Sequence, residues 1–399
     1  MMKLIDRRAF VRDLGACAVG AMLPRISFAT AATDARFVLV ILRGALDGLA
    51  AVPPYGDGNH SGKRGELALA THELKLDGLF ALHPSLTHLH QRYRERELIV
   101  FHAAATPYRE RSHFDGQDLL ESGTRTATAR DGWLNRALPA LPAARATETL
   151  ALALAQNVPL VLRGNARVGS WAPSRLPDAD SDTLQRIADL YSADPYFASR
   201  LQTALAADGV AGDGMDGAGR RRDPLGAMGT IAAAAGKFLA APDGARIAVI
   251  EVGGWDTHAN QGADRGQLAT RLRGLDQGID SLRSALGGAW RDTAVLVVTE
   301  FGRTVAVNGT RGTDHGTATC AFLVGGAVEG GRVVADWPGL AAGSLYQGRD
   351  LKPTLDLRSV FKGVLAAHLG VAEAKLEDTV FPDSRAAAPV GGLTKRTAG

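Results

Sequence analysis

Thr293-Ala294-Val295-Leu296-Val297-Val298-Thr299-Glu300-Phe301-Gly302-Arg303-Thr304 is an unbroken run of β-branched and apolar residues that stops abruptly at a glutamate, a glycine and an arginine. With no polar residue alternating through it, such a run reads as a strand buried on both faces, as in a parallel sheet covered by helices. Working outward, the same pattern recurs at Phe37–Leu42, Leu98–His102, Arg246–Val252 and Cys320–Val324, and more weakly at Leu150–Ala153 and Leu160–Leu162. Between these runs, Leu184–Ala207, Gly226–Ala241, Ala263–Leu286 and Ser359–Leu369 carry apolar residues at helical spacing, and Leu268, Leu272, Leu275, Ile279 and Leu282 form one stripe. The fold read from this alternation is α/β: a three-layer sandwich with a mostly parallel central sheet. Residues 206–222, rich in Gly, Asp and Arg, read as a surface loop. No repeat or linker divides the chain, so 32–399 is expected to be a single domain.

The N-terminus reads as an address. Asp6-Arg7-Arg8-Ala9-Phe10-Val11 precedes a mildly apolar stretch, Leu14–Leu23, and then the small residues Ala29-Thr30-Ala31-Ala32. This is the layout of a twin-arginine signal, with cleavage expected near Ala31. The apolar stretch is shorter than the roughly 18–20 residues a membrane span requires. The expected location is therefore the periplasm or the exterior, reached folded through the twin-arginine export machinery, with no stable membrane span. The signal also carries Lys3, Arg7, Arg8, Arg12 and Arg25 against Asp6 and Asp13, a net +3 that equals the whole chain's charge. What remains is near neutral and has no basic patch interleaved with aromatics, so nucleic acid is not an expected partner. Of the two cysteines, Cys17 leaves with the signal and Cys320 is left alone, which excludes an internal disulfide.

Ligands of open α/β sheets bind beyond the carboxyl ends of the strands. Several polar clusters fall there. The first strand runs into Arg43-Gly44-Ala45-Leu46-Asp47-Gly48, and the second leads through Pro107 to Ser112-His113-Phe114-Asp115-Gly116. A third ends in Gly253-Gly254-Trp255-Asp256-Thr257-His258, the fourth in Glu300-Phe301-Gly302-Arg303-Thr304, followed by Thr313-Asp314-His315-Gly316. Aspartate and histidine are oxygen and nitrogen donors suited to zinc or manganese, and a metal pair can clamp a transferring phosphoryl or sulfuryl group. Arg43, Arg109, Arg111 and Arg303 offer forked guanidinium groups to an anionic substrate, although surface ion pairing explains some of them equally well.

Together, Arg43–Leu49, Tyr108–Gln117, Gly253–His258, Thr299–Thr304, Asp314-His315-Gly316, Asp356-Leu357-Arg358 and Val380-Phe381-Pro382 resemble the exported bacterial family known as domain of unknown function 1501. That family looks like a branch of the alkaline phosphatase and sulfatase superfamily, whose members hold two metal ions at the strand ends. The resemblance implies metal ligation by Asp47, Asp256 and His258, with Glu300 and the later Asp314 and His315 substituting for a histidine ligand missing after the strand Val295–Thr299. It implies attack by Ser112, while Arg43, Arg109 and Arg303 are the substrate-contact candidates read from their guanidinium chemistry. Ser112 is read equally well as the N-cap of the helical stretch Asp115–Leu120. The chain departs from the superfamily in three places: Asp47 lies well beyond Leu42, Asp256 and His258 are two positions apart where four is common, and Glu300-Phe301 replaces Asp-His.

The implied function is metal-dependent hydrolysis of phosphate or sulfate esters, small or polymeric, with zinc, manganese, magnesium or calcium as the divalent ion. The alternative is an inactive exported protein that keeps the fold and binds or assembles another exported protein. A redox role lacks a cysteine cluster or a Gly-x-Gly-x-x-Gly turn. His83, His88 and His90 read as turn or surface residues, His102 as core or as support for a ligand, and Trp171, Trp255 and Cys320 as core.

Overall fold

The structure, a computed structural model, describes residues 34–142, 150–173, 181–192, 194–211 and 224–395. The signal segment and its cleavage site lie outside the described residues. Eleven strands are present among them: β1 (Arg36–Leu42), β2 (Leu74–Lys75), β3 (Ala81–Leu82), β4 (Leu98–Ala105), β5 (Ala151–Ala153), β6 (Val168–Ser170), β7 (Ile247–Val252), β8 (Thr293–Thr299), β9 (Thr319–Val324), β10 (Arg332–Val334) and β11 (Leu355–Asp356). Strands β2 and β3 make a small hairpin, and the rest form one sheet in the order β10-β4-β9-β8-β1-β7-β5-β6, with β11 alongside β4.

The central strand β1 is buried along its whole length and pairs in parallel with β7 and β8. Its side chains alternate between two cores, as a pleated strand requires. Val38, Val40 and Leu42 enter one core with the stripe Leu268, Leu272, Leu275, Ile279 and Leu282 of helix Gln267–Leu286. Phe37, Leu39 and Ile41 enter the other, with Val360, Phe361 and Val364 of helix Leu357–Ala367. The five stripe residues are all essentially buried, each contributing about 1.5–3 kcal/mol relative to exposure. The result is the three-layer α/β sandwich expected.

Strand β9 breaks the parallel pattern by running antiparallel to both β4 and β8. Its first residue, Thr319, therefore lies at the edge where β8 and β1 end, and residues 313–318 arrive at that edge from the opposite direction.

Three expectations change. Leu160–Leu162 is a turn of 3-10 helix rather than a strand. The long helical stretch is two helices, Ser181–Tyr191 and Pro195–Ala211. The second begins at a proline, whose missing N–H is harmless at a helix start, and the Asp194 carboxylate accepts from the amides of Tyr196 (2.8 Å) and Phe197 (3.4 Å). The first residues of the expected 206–222 loop belong to that helix, and 212–222 lie outside the described residues.

Candidate metal centre

The turns leaving β1, β7 and β8 are packed so closely that glycine is obligatory at some positions. Gly44 has φ +118°, and a Cβ there would lie 2.5 Å from the amide nitrogen of Asp256. A Cβ on Gly316 would lie 2.5 Å from the Arg303 carbonyl carbon. Backbone hydrogen bonds lace the same segments together: Gly302 donates to Thr317 (2.8 Å), Gly316 to Gly302 (2.8 Å), Thr304 to Asp314 (2.9 Å) and Thr313 to Thr257 (3.2 Å). The loops after β7 and β8 and before β9 thus form one rigid platform. Helix His113–Ser122 delivers a further side chain to it.

On this platform three imidazoles and a carboxylate converge. His315 Nε2 lies 2.9 Å from His113 Nε2 and 2.9 Å from His258 Nε2. Asp256 places its carboxylate oxygens 3.0 Å from His258 Nε2, 3.4 Å from His113 Nε2 and 3.4 Å from His315 Nε2. The ligand atoms of His113, Asp256 and His315 all fall within 4.8 Å of one another. Each of these four side chains remains partly exposed, so the cluster is open to solvent.

The opposite nitrogen of each ring faces an acceptor. His113 Nδ1 lies 2.8 Å from Glu300 Oε1, His315 Nδ1 lies 2.9 Å from the Arg111 carbonyl, and His258 Nδ1 lies 3.4 Å from Asp314 Oδ1. An acceptor-only partner assigns the proton to Nδ1, which leaves the Nε2 lone pairs pointing at each other and at an anionic carboxylate. Such a convergence is repulsive unless a proton or a cation lies within it. Donors bound to one ion at about 2.0–2.1 Å stand about 3.3 Å apart in tetrahedral geometry, comparable with the 2.9–3.4 Å separations within the trio His113, Asp256 and His315, of which His258 approaches two members, Asp256 and His315, at 3.0 and 2.9 Å. The residues therefore fit a divalent ion, and a histidine-rich set with one carboxylate suits zinc or manganese better than calcium or magnesium.

The electrostatics of the metal-free chain agree. The hydrogen bond to Glu300 raises the His113 imidazole above its ordinary value, while burial, then the positive His113, lowers His315. The two shifts are opposite in sign, so His113 holds a proton more readily than His315. Burial works against ionisation of Asp256, but Arg303, donating at 2.5 Å to Oδ1, holds its carboxyl below the usual range. Glu300 is fully buried, a cost that would raise its carboxyl. The bonds from His113, Gln117 (3.1 Å) and Thr299 (2.8 Å) overcome it and keep the group ionised. Asn308, donating at 3.0 Å, lowers Asp314.

Several expected roles are redistributed by these contacts. Asp47 stands apart from the imidazoles: its buried carboxylate is paired with Arg64, accepts from Gln261 Nε2 (2.7 Å) and caps helix Gly48–Ala51 through the Ala50 amide (3.2 Å). Glu300 sits behind His113 as the group that orients it. Arg43 is held between Glu121 and Glu251, and Arg109 donates to the carbonyls of Thr106 (2.5 Å) and Tyr108 (2.6 Å). Arg303, fully buried, engages Asp256 and Thr313. Ser112 occupies the N-cap of helix His113–Ser122, but its side chain makes no capping bond. His113 is the member of the cluster that sequence reading passed over as a donor, although it follows Ser112 in the quoted motif. His102 and His83 are buried and bonded to carbonyls of Val52 (3.0 Å) and Ala263 (2.9 Å), and Cys320 is a buried free thiol.

A mostly parallel α/β sandwich with a histidine and aspartate cluster at the carboxyl edge of its sheet defines the class of this protein. More particularly, the chain belongs to the family described as protein of unknown function (DUF1501), whose profile matches residues 34–380. No curated protein matches the sequence. Among solved structures, the chain is similar to the lipoteichoic acid synthase LtaP from Listeria monocytogenes (10% identity, 77% of this chain and 68% of that one, TM-score 0.34). It is also similar to a phosphonate monoester hydrolase of Agrobacterium radiobacter (11%, 84% and 74%, TM-score 0.33). A third likeness is to the C-terminal periplasmic domain of EcEptC from Escherichia coli (12%, 91% and 91%, TM-score 0.37). No helix among the described residues is long and apolar enough to cross a membrane.

Proposed function

We propose that this chain is an exported, metal-dependent hydrolase of phosphate or sulfate esters whose ion is held by His113, Asp256, His258 and His315. The observation that carries the reading is the convergence of three Nε2 atoms on one carboxylate, each ring turned by an acceptor at Nδ1. When bound, a divalent ion supplies Lewis acidity toward an ester oxygen and lowers the pKa of a coordinated hydroxyl. The chain's own contributions are distinct. Glu300, Asp314 and the Arg111 carbonyl fix the ring orientations, and Arg303 keeps Asp256 ionised. Ser112, immediately before His113, places a hydroxyl at the N-terminus of a ten-residue helix, where the amide dipoles favour an anionic ester. Export rests on the paired arginines Arg7-Arg8, the apolar stretch and the small residues that follow.

The test is metal analysis of protein recovered from the periplasm after natural export, together with turnover of aryl phosphates and aryl sulfates. About one equivalent of zinc or manganese per chain, turnover lost on chelation, and both lost in His315→Ala are expected. Metal-free protein with no turnover after any divalent ion is added refutes the proposal. A second reading, an exported binding or assembly protein without chemistry, is favoured by one feature: Arg43, Arg109 and Arg303 are all engaged by groups of the chain itself. It predicts bound metal without turnover, and co-purification with another exported protein.

A further inference from the structure

We infer that Asp350 is a positioning residue for the metal centre, acting on His315 through two arginines; this rests on the metal reading above. Asp350 is fully buried and gives one carboxylate oxygen to each arginine: Oδ2 to Arg111 Nε at 2.8 Å and Oδ1 to Arg349 Nε at 2.8 Å. Both arginines then hold His315, at different atoms. The Arg111 carbonyl faces His315 Nδ1 at 2.9 Å, and the Arg349 guanidinium donates to the His315 carbonyl.

The arrangement fixes the ring in two respects. The Arg111 carbonyl sets the tautomer, placing the proton on Nδ1 and the lone pair on Nε2, which faces His113 and His258. The Arg349 contact sets the backbone from which the ring projects. Arg111 sits at φ +63°, a left-handed conformation that arginine rarely adopts. That conformation aims the carbonyl at His315, and the bond from its own guanidinium to Asp350 holds it there. Asp350 is itself pinned by the backbone: its N–H donates to the Tyr346 carbonyl (3.0 Å), its carbonyl accepts from Tyr346 (2.9 Å), and it bridges to Thr304, next to Arg303. One buried carboxylate therefore ties the segment before helix His113–Ser122, the segment before β9 and the loop at 346–350 into a single frame around His315.

Groups that orient metal-bound histidines are typically worth 10–100-fold in metal affinity. The test is titration of the full-length metal-free protein with cobalt(II), read by visible absorption, for wild type, Asp350→Asn, Arg349→Met and Asp350→Glu. Arg349 is nearly half exposed, so its replacement perturbs folding least and stands in if Asp350→Asn folds poorly. The expected result is a 10–100-fold weaker dissociation constant with an altered cobalt spectrum in Asp350→Asn, a smaller shift of the same kind in Arg349→Met, and partial recovery in Asp350→Glu. Wild-type affinity and spectrum in both Asp350→Asn and Arg349→Met overturn this inference alone. A wild-type protein that takes up no cobalt overturns the metal reading and this inference with it.

Discussion

Replacing Asp47 by Asn separates a structural role for this aspartate from a metal-binding one. The carboxylate is essentially inaccessible, as is the Arg64 side chain it pairs with. Removing one partner of a buried pair typically costs about 3–5 kcal/mol, because the remaining charge has lost both water and its counter-ion. Arg64 keeps two carbonyl acceptors, Thr304 and Val305, each at 3.3 Å, which places the expected loss near the lower end, about 3 kcal/mol. Against a total stability on the order of 5–15 kcal/mol this is a large fraction. The assay is urea denaturation of the metal-free protein, paired with metal content of the folded protein after dialysis against buffered zinc. The expected outcome is a lower midpoint with unchanged metal stoichiometry. In the double variant Asp47→Leu with Arg64→Met, much of the lost stability should return, since apolar residues of similar volume often replace a buried pair without loss. A stability change below about 1 kcal/mol together with loss of the metal would refute the reasoning and restore Asp47 to the ligand set.

Glu300→Gln keeps the shape and one oxygen for Gly44, Gln117 and His113, but it removes the charge behind His113 and turns an amide N–H₂ toward the Thr299 hydroxyl; metal affinity is expected to fall 10–100-fold and metal-free stability by about 1–3 kcal/mol, measured by competition titration and denaturation. Gly44→Ala, which forces a Cβ to 2.5 Å from the Asp256 amide at φ +118°, is expected to cost about 1–3 kcal/mol and to loosen Asp256, visible as a lower melting temperature and weaker metal binding. Burial pushes the His102 imidazole down to about 4. Between pH 6.5 and 4 the unfolded chain therefore binds a proton that the folded chain refuses. His102 thus leaves stability untouched above pH 6.5 and lowers it progressively on acidification, by about 3 kcal/mol at the limit. Urea midpoints at pH 7 and 4.5 should fall further for wild type than for His102→Asn, and parallel falls would contradict this.

Much of the fold was legible because its signals are local. The runs at 37–42 and 293–299 are apolar enough to be buried on both faces, and the stripe from Leu268 to Leu282 repeats at helical spacing, so element type and buried face follow from short-range periodicity. The strand-end rule then located the neighbourhood of Asp256, His258 and His315 from sequence alone. Leu160–Leu162 misled because so short an apolar run has no periodicity to distinguish a strand from a turn.

The division of labour inside that neighbourhood was decided by the tertiary structure. Asp256 and Asp47 look alike as aspartates near strand ends, but one meets Arg303 and three imidazoles, and the other meets Arg64 and Gln261. Nothing local distinguishes them, because a carboxylate's role is set by which opposite charge reaches it across the fold. The reversed direction of β9 had a similar effect, carrying His315 back to the edge where helix His113–Ser122 begins. By itself, then, the sequence determined the layers, the edge of the sheet that carries the polar residues, and the donor types available there. Only long-range packing, by choosing the partner of each buried charge and the acceptor at each Nδ1, decided which donor groups face one another and which hold them in place.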